Sequence, residues 1–230
     1  VYFMHSLKLS NELFRAGKEH DFLPLSNFTH MVADPLVTTR LYSRIVERKH
    51  QDPRVRIVSL QTFTNRSTDE PADVVAIFKP HSDLALANAM AHVIVKEGLV
   101  NEEFVSRHVA FKKGLERIGF GVNDRDEFGG QEPSWATYKP FADRGETITF
   151  DAYKAFLETY TPEYAEQISG VPAQQIRELA RLFADPKRKA VSLWTMGFNQ
   201  HARGTWINNL VYNLHLLTGK IAEPGQSPFS

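Results

Sequence analysis

Apolar residues recur along this chain in short blocks, some at strand spacing and some at helix spacing, separated by polar turns. Residues 190–194 form an apolar run that reads as a buried strand, followed by a polar, glycine-containing turn and an amphipathic helix over about 204–217. Upstream, residues 55–60 and 74–78 are further β-rich runs, and 83–97 reads as a long helix with Leu84, Ala87, Ala91 and Ile94 on one face. Asn101 is placed to cap a short helix through His108. Three more helices are predicted over 150–160, from Thr161-Pro162-Glu163 onward, and over 172–184. In the second, Thr161 is the N-cap and Pro162 the first helical residue. In the third, Ile176, Leu179, Ala180 and Phe183 have core spacing before the stop at Asp185-Pro186. Residues 110–147 are rich in Gly, Asp, Glu and Pro without a sustained period and read as a surface excursion. Near the amino terminus, 3–16 is a helix pattern (Phe3, Leu7, Leu13, Phe14) stopped by Gly17. Residues 21–25 are a short strand, and Asp34-Pro35 opens a helix to about Arg48. Short strands alternating with helices predict an α/β fold, a Rossmann-like parallel sheet with flanking helices.

Composition narrows the function classes. With 230 residues, 42% of them apolar, the chain can bury a sizeable core in one domain or two. Acidic and basic residues balance at 27 each, so no strong field recommends a nucleic acid or an anionic membrane as partner. No apolar run approaches the ~20 residues that would span a bilayer, and residues 1–9 carry no signal-peptide pattern. Cysteine is absent, which excludes disulfides, thiolate zinc sites, a cysteine nucleophile and iron–sulfur ligation by this chain. The 9 histidines include no H-E-x-x-H motif, and Gly119-Phe120-Gly121 lacks the third glycine of a dinucleotide fingerprint. The start at Val1 and the stop at Ser230 read as a piece of a larger protein.

Three sets of residues are candidates for chemistry. Gln61, Thr62, Phe63, Thr64 and Asn65 follow a predicted strand, where polar side chains can hydrogen-bond a ribose, a base edge or phosphate oxygens. Polar loops after strands are also common without function. His81, Ser82 and Asp83 follow the next strand and open a helix. Ser82 suits an N-cap and Asp83 the positive helix end, while a carboxylate there can also accept two hydrogen bonds from the N1–H and N2–H of guanine. Met196 and Gln200 lie in the turn after the last predicted helix-flanking strand, where Gly197 permits close backbone approach. Met is also a common gap-filler. His30 sits in a predicted loop, and Asn199, His201 and Arg203 receive no role.

The run WTMGFNQH over 194–201, the Arg203-Gly204 pair and NLHLLTGK over 213–220 resemble the catalytic subunit of periplasmic nitrate reductase, of the molybdopterin oxidoreductase superfamily. Residues 50–98, including VSLQTFTNRSTDEPADVVAIFKPHSD, carry the same resemblance, which covers about 48–230 as a middle slice of such a subunit. It implies nitrate as substrate, reduced to nitrite by oxygen-atom transfer at a molybdenum-bis(molybdopterin guanine dinucleotide) cofactor. It also implies a [4Fe-4S] cluster held elsewhere, a cytochrome c-type electron-donor subunit and a periplasmic location. Under it, Gln61 to Asn65, His81, Ser82, Asp83, Met196 and Gln200 correspond to cofactor contacts. The family's cofactor-binding segment before the helix at Leu36 is replaced here by LPLSNFTHMVADP.

Residues 1–46 instead resemble the carboxyl-terminal tail of a dipeptidyl-peptidase of the prolyl oligopeptidase family, whose triad histidine maps onto His30. The matching Asp and Ser are absent, and Gly225-Gln226-Ser227 is followed by Pro228 rather than completing a G-x-S-x-G elbow. His30 alone cannot carry out acyl transfer. The reading is therefore a chimera: a peptidase-tail-like fragment over 1–46 and a partial molybdopterin oxidoreductase domain over 47–230, joined within 45–50. A serine-peptidase fragment and a noncatalytic α/β fragment are the alternatives. Phe3, Leu7, Phe14 and Leu23 are expected to lack a partner surface.

Overall fold

Five short strands lie side by side in the order β3-β2-β1-β4-β5 in the computed structural model, and every neighbouring pair is parallel. They are β1 (Leu23–Ser26), β2 (Ile57–Gln61), β3 (Val74–Ile77), β4 (Val191–Trp194) and β5 (Ser227–Phe229). The structure describes residues 23–26, 35–64, 69–113, 146–194 and 204–229. Among the described residues, seven helices connect and flank the strands: α1 (Pro35–Gln51), α2 (Asp83–Lys96), α3 (Glu102–His108), α4 (Phe150–Leu157), α5 (Pro162–Ser169), α6 (Ala173–Ala184) and α7 (Gly204–Thr218). This is the α/β parallel-sheet fold predicted from the alternation of elements.

The sheet is covered on both faces, as parallel sheets require. Alternation along β2 sends Ile57 to one side and Val58 to the other. Ile57 joins Ile45 of α1, Val191 and Leu193, with Phe229 packed against them. Val58 joins Ala76, Ala190 and the buried sides of α2, α6 and α7 in the larger core. Helix α1 is also tied down at its carboxyl end. Lys49 Nζ lies 2.8 Å from Asp73 Oδ2, and the Ile57 N–H donates to the same oxygen at 2.7 Å. Burial pushes the Asp73 carboxyl up, but Lys49, the Ile57 N–H and Arg56 together hold it below the ordinary carboxylate value.

The helix signals read from sequence act through identified bonds. Asn101 Oδ1 accepts from the Phe104 N–H at 3.0 Å, and Thr161 Oγ1 accepts from the Tyr164 N–H at 3.2 Å with Pro162 at the start of α5. Burial on α2 extends beyond the face read from the sequence. Ala85 to Ile94 are all buried, because the helix packs on the sheet and also against α4, α5, α6 and α7. A helix apolar all round belongs in an interior. At the excursion, Lys112 and Thr147 form an antiparallel bridge. Its residues 114–145, the predicted helix over 3–16 and His30 lie outside the described residues.

Strand β1 and helix α1 bear on the predicted junction. Leu23 pairs with Ile57 and Leu25 with Leu193, so β1 is hydrogen-bonded on both sides by strands of the 47–230 stretch. Helix α1 runs through the 46–47 boundary, and Ile45 is fully buried. Leu23 is thus paired through its backbone and Ile45 is buried against Ile57, Val191 and Leu193, while Phe3, Leu7 and Phe14 lie outside the described residues. Truncating a fully buried isoleucine removes its apolar burial and leaves a cavity. Ile45→Ala is expected to lower stability by roughly 2–5 kcal/mol in urea unfolding, whereas a change below ~0.5 kcal/mol would mean that α1 is not packed on the sheet in solution.

Candidate functional site

Strand β2 ends at Gln61 and strand β3 at Ile77, and these two residues are register partners. The Phe78 N–H donates to the Gln61 carbonyl at 2.9 Å, which carries the ladder one step past β3. The loops that follow therefore leave the same carboxyl edge as neighbours. Gln61 is buried, Thr62 half-buried, Thr64 exposed, and Phe63 presents an aromatic ring that is 47% exposed. Asn65 lies outside the described residues. The Gln61 side chain donates through Nε2 to Asp69 Oδ1, a contact with no periodic or motif signal in the sequence.

The second loop turns sharply into α2. His81 has φ 66, the left-handed region that non-glycine residues seldom occupy. Lys79 anchors the turn, its N–H donating to the Ser169 carbonyl at 2.8 Å. Ser82 occupies the N-cap position, but its hydroxyl does not cap α2. With φ −99 and ψ 4, its Oγ turns back and donates to the Lys79 carbonyl at 2.5 Å. The capping role predicted for Ser82 is thus corrected to one of closing the turn. Asp83 stands in the first turn of α2 and is buried, where the positive end of the helix favours a carboxylate.

Strand β4 brings its carboxyl end to this edge as well, since β1 lies between β2 and β4 and all run parallel. The chain runs outward from β1 through β2 and β3 on one side, then places β4 and β5 on the other. That reversal puts the topological switch point beside β1, the usual ligand position in open α/β sheets. Trp194 closes β4 there. Its Nε1–H donates to Asn208 Oδ1 at 2.7 Å, and its ring meets Tyr212 edge-on at 6.0 Å. Met196 and Gln200, in the turn after Trp194, lie outside the described residues. The structure thus brings together residues 61–64 and 81–83, and ends β4 at the same edge.

A buried polar network fixes β4 from behind. His215 Nδ1 is 2.6 Å from the Lys220 carbonyl, and Nε2 is 2.8 Å from Ser192 Oγ. A carbonyl can only accept, so Nδ1 carries the proton and Nε2 accepts from the Ser192 hydroxyl. Lys220 Nζ donates to the carbonyls of Asp185 at 2.7 Å and Arg188 at 2.5 Å. Four segments are joined this way: the end of α6, β4, α7 and the turn beyond it. Burial lowers the His215 pKa to about 4; its hydrogen bond to the Lys220 carbonyl works the other way, and the Lys220 charge adds to the lowering. Among the described residues, no group of three or more His, Asp or Glu side chains is gathered to hold a metal ion, and no helix is long and apolar enough to cross a membrane.

The strand order and the paired loops define an open α/β domain with its topological switch point beside β1. A family profile for molybdopterin oxidoreductases matches residues 29–230, and the chain belongs to that family of molybdopterin-dependent proteins. The match begins ahead of His30 and of α1. Among solved structures, acetylene hydratase from Pelobacter acetylenicus superposes with a TM-score of 0.61 at 15% identity, covering 96% of this chain. At that identity the likeness is one of fold. The chain spans 26% of the length of that protein.

The His215 network predicts a pH dependence. Between 6.5 and about 4 the unfolded chain binds a proton that the folded histidine refuses. Stability is therefore full above 6.5, falls as pH drops toward 4 and levels off below. At 1.36 kcal/mol per tenfold change in proton affinity, the loss is roughly 3 kcal/mol. In urea unfolding at pH 7 and pH 4.5, His215→Gln should show a smaller drop than the wild type, and an equal drop in both would refute the assignment.

Proposed function

We propose that this chain is part of the catalytic subunit of a molybdenum-dependent nitrate reductase, and that its carboxyl sheet edge holds a molybdopterin guanine dinucleotide. The observation that carries the proposal is the juxtaposition of the 61–64 loop with His81, Ser82 and Asp83 at the ends of two paired strands. The residues fit that group chemically. Asp83 is a carboxylate that can accept both donors of a guanine edge, Thr62, Thr64 and His81 offer hydrogen-bonding groups, and Phe63 offers a ring face. Met196 and Gln200 complete the proposed contacts on the β4 side.

The bound cofactor supplies oxygen-atom-transfer chemistry, by which nitrate is reduced to nitrite. The residues of this chain bind and orient it. Iron–sulfur ligation falls to other parts of the protein, since this chain has 0 cysteines. A cytochrome c-type donor and a periplasmic setting belong to the same proposal. The motifs WTMGFNQH and NLHLLTGK support the nitrate reductase reading within the family.

A base-preference experiment separates a guanine-reading Asp83 from one that serves only the helix end. The full chain should bind guanosine diphosphate in calorimetry and discriminate against adenosine diphosphate. Asp83→Asn should weaken guanosine diphosphate by about 10- to 100-fold and improve xanthosine diphosphate, because the amide donates where the carboxylate accepted. Equal binding of guanine and adenine nucleotides, or no binding at all, would overturn the assignment of this edge. Weakened binding with no change of base preference would leave Asp83 a helix-end residue.

A further inference from the structure

We propose that Ser169 is a positioning residue: it clamps the turn Lys79-Pro80-His81-Ser82 in a strained form and so sets where His81 and Asp83 stand at the carboxyl edge of the sheet. The link to a ligand rests on the cofactor-binding reading of that edge, whereas the clamp rests on hydrogen bonds within the protein. The Ser82 N–H donates to the Lys79 carbonyl at 3.2 Å and closes the four residues into a turn. Pro80 holds the second position and His81, with φ 66, the third. This is the pattern of a type II turn, whose third position favours glycine. A histidine held there is strained, and such a conformation persists only where its surroundings fix it.

The fixing groups form one continuous chain from α5 to α2. At the end of α5, Gly170 has φ 78, the left-handed conformation that commonly ends a helix, and its N–H donates to the Glu166 carbonyl at 2.8 Å. The Ser169 hydroxyl donates to the Ala165 carbonyl at 2.7 Å and accepts from the Val171 N–H at 3.1 Å. It therefore ties the last turn of the helix to the residue beyond it. A helix end leaves its final carbonyls without an intrahelical donor, and that of Ser169 accepts the Lys79 N–H at 2.8 Å. Lys79 passes the constraint on, because its carbonyl accepts both the N–H and the hydroxyl of Ser82. The Ser82 carbonyl in turn accepts from the N–H groups of Ala85 and Leu86 in the first turn of α2, each at 3.1 Å. Both serines are buried, so a bond left unmade along this chain is costly.

The residue before Lys79 is bonded the other way. The Phe78 N–H donates to the Gln61 carbonyl of β2, so two consecutive N–H groups are divided between the sheet and α5. The placement of His81 and Asp83 relative to the 61–64 loop is fixed at that division. Helix α5 contributes none of the candidate contacts, and Ser169 acts on the edge through Lys79.

Two measurements on the full chain test this. In the first, hydrogen exchange is followed by NMR without ligand, with the amides of the α2 core as the reference for global unfolding. The Lys79 and Ser82 N–H groups should be protected in the wild type and exchange about 10-fold faster in Ser169→Ala. In the His81→Gly background, where the positive φ needs no enforcement, Ser169→Ala should leave the Ser82 N–H protected. Unchanged exchange in Ser169→Ala, or equal acceleration in both backgrounds, overturns the clamp whether or not any nucleotide binds. In the second, guanosine diphosphate binding to the folded chain should weaken about 3- to 10-fold in Ser169→Ala. Gly170→Ala, which strains the same junction and leaves the hydroxyl in place, should weaken it similarly, and Gly170→Asn, which tolerates a positive φ, should weaken it less. A lowered urea midpoint with unchanged affinity would make Ser169 a merely structural serine and sink the positioning role. Failure of the wild type to bind guanosine diphosphate, with the exchange pattern as expected, would refute the cofactor reading and leave the clamp standing.

Discussion

A helix with no solvent face organises this molecule. From Ala85 to Ile94 every residue of α2 is buried, and four other helices besides the sheet pack against it. Alanines at 85, 87, 89 and 91 keep its girth small enough for neighbours to approach on several sides. The same burial determines where the helix can begin. Its first turn must emerge at the carboxyl edge of the sheet, and that places Asp83 beside the loop after β2. The position of a polar site residue is thereby a consequence of apolar packing far from it.

The two ends of the sheet are built differently. At the amino edge, polar groups are paired within the protein: Asp73 binds Lys49, Arg56 and the Ile57 N–H, and Asp52 binds the Arg54 side chain and N–H. Hydrogen bonds from the Arg54 side chain and backbone hold the Asp52 carboxyl down to about 2. At the carboxyl edge, an exposed aromatic ring, a left-handed histidine and a helix start stand together.

Much of this was legible in the sequence, because local signals determine local structure. Asn101 and Thr161 cap the helices they precede, and the apolar run before the WTMGFNQH motif is a strand. The two site loops also fall where strand-then-polar patterning put them. The features that escaped are those set by tertiary contact. Alanine carries too weak a hydrophobic signal to reveal that α2 is enclosed. Ser82 looks like a cap until the backbone dihedrals turn its hydroxyl toward Lys79. Asp69 reaches Gln61 across a turn without periodicity, and His215 is one histidine in an apolar helix until Ser192 and Lys220 are placed around it.

Strand β1 joins two halves of the sheet that otherwise do not touch as strands. On one side Leu23 pairs with Ile57, a partner fairly near in the chain, and on the other Leu25 pairs with Leu193, which most of the polypeptide separates from it. Without β1, what remains is two separate two-stranded ribbons, each marginal as an independent sheet. Closing the second seam demands a very long loop, and the chain must lose that entropy before the contact returns anything. Assembly of this sheet should therefore proceed from the β2–β3 side, with the β1–β4 seam among the last features to form as the chain folds.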